Sequence, residues 1–150
     1  MKIILSIVLG ALIVVSAVFA FTTESEWQGL TDEALDHYYH GRNKEAVGTA
    51  RKALRSAEEL FDSDDLKMVG SIDDLATYLA ATGNTEEADQ LYQRALSILE
   101  KSLPSDDHYL AIFMDYLALF YDKNGKNEYA NELRARAKAI RLKKSANSGR

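Results

Sequence analysis

The sequence predicts an all-α protein: an α-solenoid of three helix-turn-helix repeats, six antiparallel helices, set behind an amino-terminal hydrophobic segment. Three observations predict it. Like residues recur every 42 positions along the chain. Within each recurrence apolar residues are spaced three and four apart, as one buried helical face requires. Glycine stands once per unit where a helix should stop, and Gly41, Gly83 and Gly125 keep that spacing.

The amino terminus comes first in chain order. Met1 and Lys2 precede an apolar run from Ile3 to Phe21, broken only by Ser6, Gly10 and Ser16. Val18 and Ala20 sit three and one residues before the bond to Phe21, a small-residue pattern resembling a signal-peptidase site, and polar sequence begins at Thr22. Residues 1–20 therefore read as a signal peptide or as an N-terminal membrane anchor. A helix of that length, at a rise of about 1.5 Å per residue, comes close to spanning a hydrocarbon core of about 30 Å. The expected location is periplasmic or secreted if the segment is cleaved, and membrane-anchored otherwise.

The whole chain has 150 residues, one proline and eight glycines, and beyond residue 20 it fits one repeat domain over 21–144, with units near 27–62, 66–104 and 108–144 and a basic tail at 145–150. The small residues keep register throughout: Ala34, Ala76 and Ala118; Ala46, Ala88 and Ala130; Ala53, Ala95 and Ala137. Such side chains let two antiparallel helices approach closely, so they read as packing residues. Bulkier positions follow the same frame, as Leu30, Ile72 and Met114 do, or Leu91 with Leu133.

In the second unit Met68, Ile72, Leu75, Ala76 and Leu79 form the buried stripe of the first helix, which Gly83 ends. Thr85 stands where an N-cap belongs, with Glu86 and Glu87 in the first turn, and Ala88, Leu91, Tyr92, Ala95, Leu96 and Leu99 form the second stripe. Asn43 and Asn127 occupy the equivalent cap position. Ser63 and Ser105 are expected to cap the first helices of units two and three, each followed by two aspartates, and Pro104 helps end the helix before it.

These positions carry a resemblance. A small residue, glycine seven later, alanine five after that and a second alanine seven further on resembles the tetratricopeptide repeat, over about residues 27 to 144. The 42-residue period and stretches such as Gly83-Asn84-Thr85-Glu86-Glu87-Ala88 and Leu103-Pro104-Ser105-Asp106-Asp107-His108 look like the longer, kinesin-light-chain-like subclass. The end units depart from the pattern, with Glu33, His37 and Ala50 in unit one and Arg134 in unit three. That suits a short solenoid, whose outermost faces stay wet.

The resemblance implies a protein-binding module whose ligand surface is the concave face made by the first helix of each unit. Carried over position by position, the candidates are Leu35, Tyr38 and Tyr39, then Asp73, Thr77 and Ala80, then Asp115, Leu119 and Asp122. Aromatic and acidic groups together suit a peptide or protein segment with basic and apolar side chains. Where this subclass places asparagines to hold a peptide backbone, the chain has Asp73-Asp74 and Asp115-Tyr116.

Composition narrows the classes further. The absence of cysteine removes disulfides, thiolate metal sites, a cysteine nucleophile and a lipid-attachment cysteine. Residues 21–133 hold 23 acidic and 10 basic side chains, whereas 134–150 hold seven basic and none acidic. The acidic body and the export signal disfavour nucleic acid. The basic end solubilises an exposed last helix, running from about Asn127 to Lys144, or attracts an acidic partner or lipid.

Asp36, His37 and His40 lie close together, but two histidines rarely suffice for zinc, and His108 falls in a connection between units. Asp64-Asp65 and Asp106-Asp107 recur in register and read as helix-start residues. No catalytic fingerprint is present, and no cofactor or metal is expected. The leading expectation is an exported adaptor or scaffold of the cell envelope that is not an enzyme. The alternative is a self-assembling structural component stacking through its solenoid ends, and a metal protein or enzyme comes third.

Overall fold

The computed structural model describes residues 23–148, which form six helices and no strand. Helix α1 covers 23–39, α2 Asn43–Leu60, α3 Leu66–Ala81, α4 Thr85–Ser102, α5 His108–Lys123 and α6 Asn127–Ser148. The amino-terminal signal or anchor expected at residues 1–20 lies outside the described residues. No helix among the described residues is long and apolar enough to cross a membrane. The first helix is already formed at residue 23, ahead of the boundary expected near 27. The last continues to Ser148, past the end expected near Lys144, since neither glycine nor proline intervenes after Gly125 until Gly149.

The two helices of each unit are joined by one repeated turn. In unit two the Asn84 N–H donates to the Leu79 carbonyl at 2.9 Å and the Gly83 N–H to the Ala80 carbonyl at 3.1 Å, the paired bonds of a Schellman motif. Arg42 to His37 with Gly41 to Tyr38, and Lys126 to Tyr121 with Gly125 to Asp122, reproduce it in the other units. The glycines carry φ of 72, 83 and 74°, a left-handed conformation that a Cβ opposes.

This turn corrects the expected caps. Thr85, Asn43 and Asn127 are the first helical residues rather than the caps. The cap positions of α2 and α4 are Arg42 and Asn84, whose backbones (ψ near 60°) lie outside the extended region and whose side chains make no cap bond. The reason is economy of chain. The residue that starts the second helix also closes the Schellman turn of the first, so its conformation is already committed. The first helices do have side-chain caps, but these are Asp65 and Asp107 rather than Ser63 and Ser105. Asp65 accepts from the Lys67 N–H at 2.8 Å and Asp107 from the Tyr109 N–H at 2.7 Å, each from extended backbone.

Between the helices the core is continuous. The nine register alanines, Ala34, Ala46, Ala53, Ala76, Ala88, Ala95, Ala118, Ala130 and Ala137, are each at most 3% exposed. Around them Met68, Ile72, Leu75, Leu79, Leu99, Met114, Leu117 and Leu133 are fully buried. Trp27 binds α1 to the next unit by donating its indole N–H to Ser71 Oγ at 2.9 Å and by packing edge-on to Phe61 at 5.0 Å.

The outer surface repeats as faithfully as the core. Glu58 pairs with Arg94, and one period later Glu100 pairs with Arg136, each pair 36 residues apart in sequence. Arg51 with Glu87 has its register equivalent in Gln93 with Tyr129. Exposed pairs of this kind contribute little individually. Their recurrence shows that the second helices of successive units meet in the same register at both steps.

The two junctions between units differ in width. Helices α2 and α3 run closer together than α4 and α5. Ala50 and Ala57 face the first junction, whereas Tyr92 and Leu99, 42 residues later, fill the second.

Candidate functional site

The first helices α1, α3 and α5 line one side of the solenoid and leave large apolar groups in solvent there. Leu35 is 39% and Tyr39 77% exposed on α1; Ile112, Tyr116 and Leu119 are 46, 38 and 59% exposed on α5. These last three are spaced four and three apart, a single stripe of the helix. A cavity of about 660 Å³ opens on the same side, lined by Tyr38 of α1, Thr77, Ala80 and Ala81 of α3, and Tyr116 and Leu119 of α5, with Tyr92 and Phe120 behind them.

Its floor is a ring of hydroxyls. Thr77 Oγ1 lies 2.8 Å from Tyr116 Oη and 3.2 Å from Tyr92 Oη, and the two phenols are 3.1 Å apart. Tyr92 is 2% exposed and stacks at 4.8 Å on Phe120. Burial pushes its hydroxyl above the ordinary tyrosine range. The bulk that separates α4 from α5 thus also places a phenol beneath the opening.

The sequence-derived candidates divide into three groups. Leu35, Tyr39, Thr77, Ala80 and Leu119 lie on the open side, and Tyr38 is half-buried, stacked at 4.8 Å on Tyr78. Asp115 and Asp122 are tied to α6: Arg141 pairs with Asp115, and Arg134 with Asp122 at the border of the cavity. They are not the free carboxylates expected of a ligand face. Asp73 is partly buried, and its Oδ1 has no hydrogen-bond partner among the described residues.

Sequence reasoning missed Ile112 and Phe120, read Tyr92 only as a packing residue, and noted Asp74 and Tyr116 at the asparagine positions without counting them among the candidates. The open apolar stripe of α5 is 112, 116 and 119, which shares only Leu119 with the expected 115, 119 and 122. Alignment of the buried positions could have fixed its phase.

The histidines are occupied locally. Arg42 Nε donates to His37 Nδ1 at 2.9 Å, and His40 Nδ1 lies 2.8 Å from the Asp36 carbonyl. His108 is the exposed first residue of α5. Among the described residues no group of three or more histidine or acidic side chains is placed to hold a metal. A second cavity, about 910 Å³, lies on the α4–α6 surface, but its polar groups satisfy one another: Asp89 accepts from Tyr121 and Lys126, and Gln93 donates to Tyr121 and Tyr129.

With this geometry in place, comparison with known proteins can be set beside it. Residues 69–109, which span most of unit two and the start of unit three, match the tetratricopeptide repeat family model. The other two helical pairs share the period and the turn of the matched one. Among solved structures, the solenoid resembles nearly identical TPR-like repeats assigned to a kinesin light chain of Podosopora anserina. The TM-score is 0.70 at 25% identity, over 80% of this chain and 57% of that one. BtubC (BKLC) from P. vanneervenii has a TM-score of 0.72 at 20% identity, over 81% of this chain and 48% of that one. The TPR domain of Arabidopsis FLU has 0.66 at 20%, over 81% and 98%. The latter two show the tetratricopeptide fold alone. The chain spans little more than half of the first of these relatives. No curated protein is similar to it. A tetratricopeptide-type fold implies a protein-interaction module.

Proposed function

We propose that this protein is an exported interaction module that binds a peptide or protein segment with basic and apolar side chains along the face made by α1, α3 and α5, as an adaptor or scaffold in the cell envelope. The observation that carries the reading is the exposed stripe of Leu35, Tyr39, Ile112, Tyr116 and Leu119 around a preformed cavity. Large apolar groups concentrated in one concavity are unusual on a surface that has no use for them. Rigid tyrosine rings supply contact area at low entropic cost, while the acidic body favours a basic guest. Export rests on the apolar run from Ile3 to Phe21.

The test is capture from a membrane extract by the full chain, repeated with Tyr39→Ser and Leu119→Ser together. Both side chains are exposed, so helical content should persist while captured partner falls at least about tenfold, as loss of two apolar anchors implies. Undiminished capture by that variant would place the binding surface elsewhere.

A further inference from the structure

Resting on the groove reading above, we infer that Asp73 and Asp74 of α3 form the seat for one lysine or arginine side chain of the bound segment. The comparison between units points there. Asp115 is the register equivalent of Asp73, and Arg141 of α6 neutralises it. In unit two the position of Arg141 is Leu99, so the chain itself supplies no cation. Asp73 is left with a buried, unpartnered oxygen, and Asp74 has no ion pair or hydrogen bond among the described residues. A buried charge lacking a partner is expensive, and a structure that retains two of them side by side has left a place for one.

A second, independent vacancy adjoins the pair. Tyr78 is 2% exposed and its hydroxyl has no partner among the described residues. Tyr78 stands four residues after Asp74 on α3 and so shares its face of the helix; burial raises its ionisation, and Asp74 adds to that. The groups within electrostatic reach of the carboxylates are phenols: Tyr78 of α3, Tyr92 of α4 and Tyr109 of α5 feel Asp73, and Tyr78 also feels Asp74. Tyr38 of α1 packs at 4.8 Å on Tyr78. Two carboxylates set among tyrosines attract a cation by charge and by ring quadrupole. Burial pushes both carboxyls up to about 6, with Asp74 adding to the effect on Asp73. A cation therefore binds best above that pH and displaces protons as it enters. The flanking apolar stripe requires more than a small amine to cover it, which assigns the cation to a peptide.

The probe is a fluorescein-labelled peptide of about ten residues, rich in leucine and alanine with one central lysine. Its counterpart carries glutamine at that position. Anisotropy is followed with the full chain in zwitterionic detergent. The lysine peptide should bind about tenfold tighter near pH 7.5. That preference should shrink on going well below the carboxyl value of about 6. It should vanish in Asp73→Asn/Asp74→Asn and survive in Asp62→Asn, which removes one remote exposed charge. Circular dichroism verifies that each variant keeps its helices. Equal affinity for the two peptides, or a preference that persists in the double variant, overturns the cation seat while the groove stands. No binding by either peptide overturns both, and displacement by butylammonium at matching concentration overturns the assignment to a peptide.

Discussion

Asp73 and Asp115 occupy one register position and have opposite surroundings, and that contrast carries a stability consequence. Burial raises Asp73 and Asp74 to about 6, against about 3.9 in an unfolded chain. A carboxyl raised by folding favours the native state while it is protonated. Its contribution is therefore complete below about pH 4 and is lost as pH rises through about 6. Near pH 8 each charge should cost on the order of 1–2 kcal/mol, allowing for partial exposure. Asp73→Asn and Asp74→Asn should each stabilise the protein by about that amount near pH 8 and by almost nothing near pH 4. Urea unfolding of variant and wild type side by side, followed by circular dichroism, measures the difference. Asp115→Asn removes only an exposed pair with Arg141 and should change stability by less than about 1 kcal/mol.

Among the elements, the helix starts separate what the sequence displays from what it conceals. The period, the glycine stops and the alanine contacts were legible because each is a steric demand that few residues meet. At the caps several residue types meet the demand equally. Serine, threonine, asparagine and aspartate all accept from helical N–H groups, and here they stand within a residue or two of one another, so composition could not choose among Ser63, Asp64 and Asp65. Backbone geometry chose Asp65, which alone of the three is extended and two residues before an unpaired N–H. Asp65→Ala and Asp107→Ala should each cost about 1 kcal/mol, whereas Ser63→Ala and Ser105→Ala should change stability by only a few tenths. Thermal melts of the four variants test the assignment. The open stripe was legible only in part for a related reason. Spacing identifies that a helix has two faces, but which of two neighbours, Asp115 or Tyr116, joins the open apolar stripe depends on the partner α6 supplies, and Arg141 takes Asp115.

For the molecule as a whole, the outer face of unit three differs in kind from the corresponding face of unit two. Tyr92 packs on Phe120 and Tyr116 of α5 and Leu99 is fully buried, while Arg134 and Arg141 at the same register lie over Asp122 and Asp115. An ion-paired surface offers a neighbouring copy little apolar area to cover, which weighs against stacking through this end. Arg134→Tyr/Arg141→Leu should recreate the face of unit two and induce association beyond that of wild type, read as mass rising with concentration in light scattering. An unchanged mass would mean that more than these two positions keeps the end from pairing.

The unequal seams have one last consequence. The narrow one, closed by alanines, ends in acid, and the broad one, propped by Tyr92, ends in rings and leucine. A guest laid across both meets different chemistry at its head and its tail. On the binding proposed above, reversing the order of the guest's residues would put grease against carboxylate and should weaken its hold, so direction as well as composition would be selected.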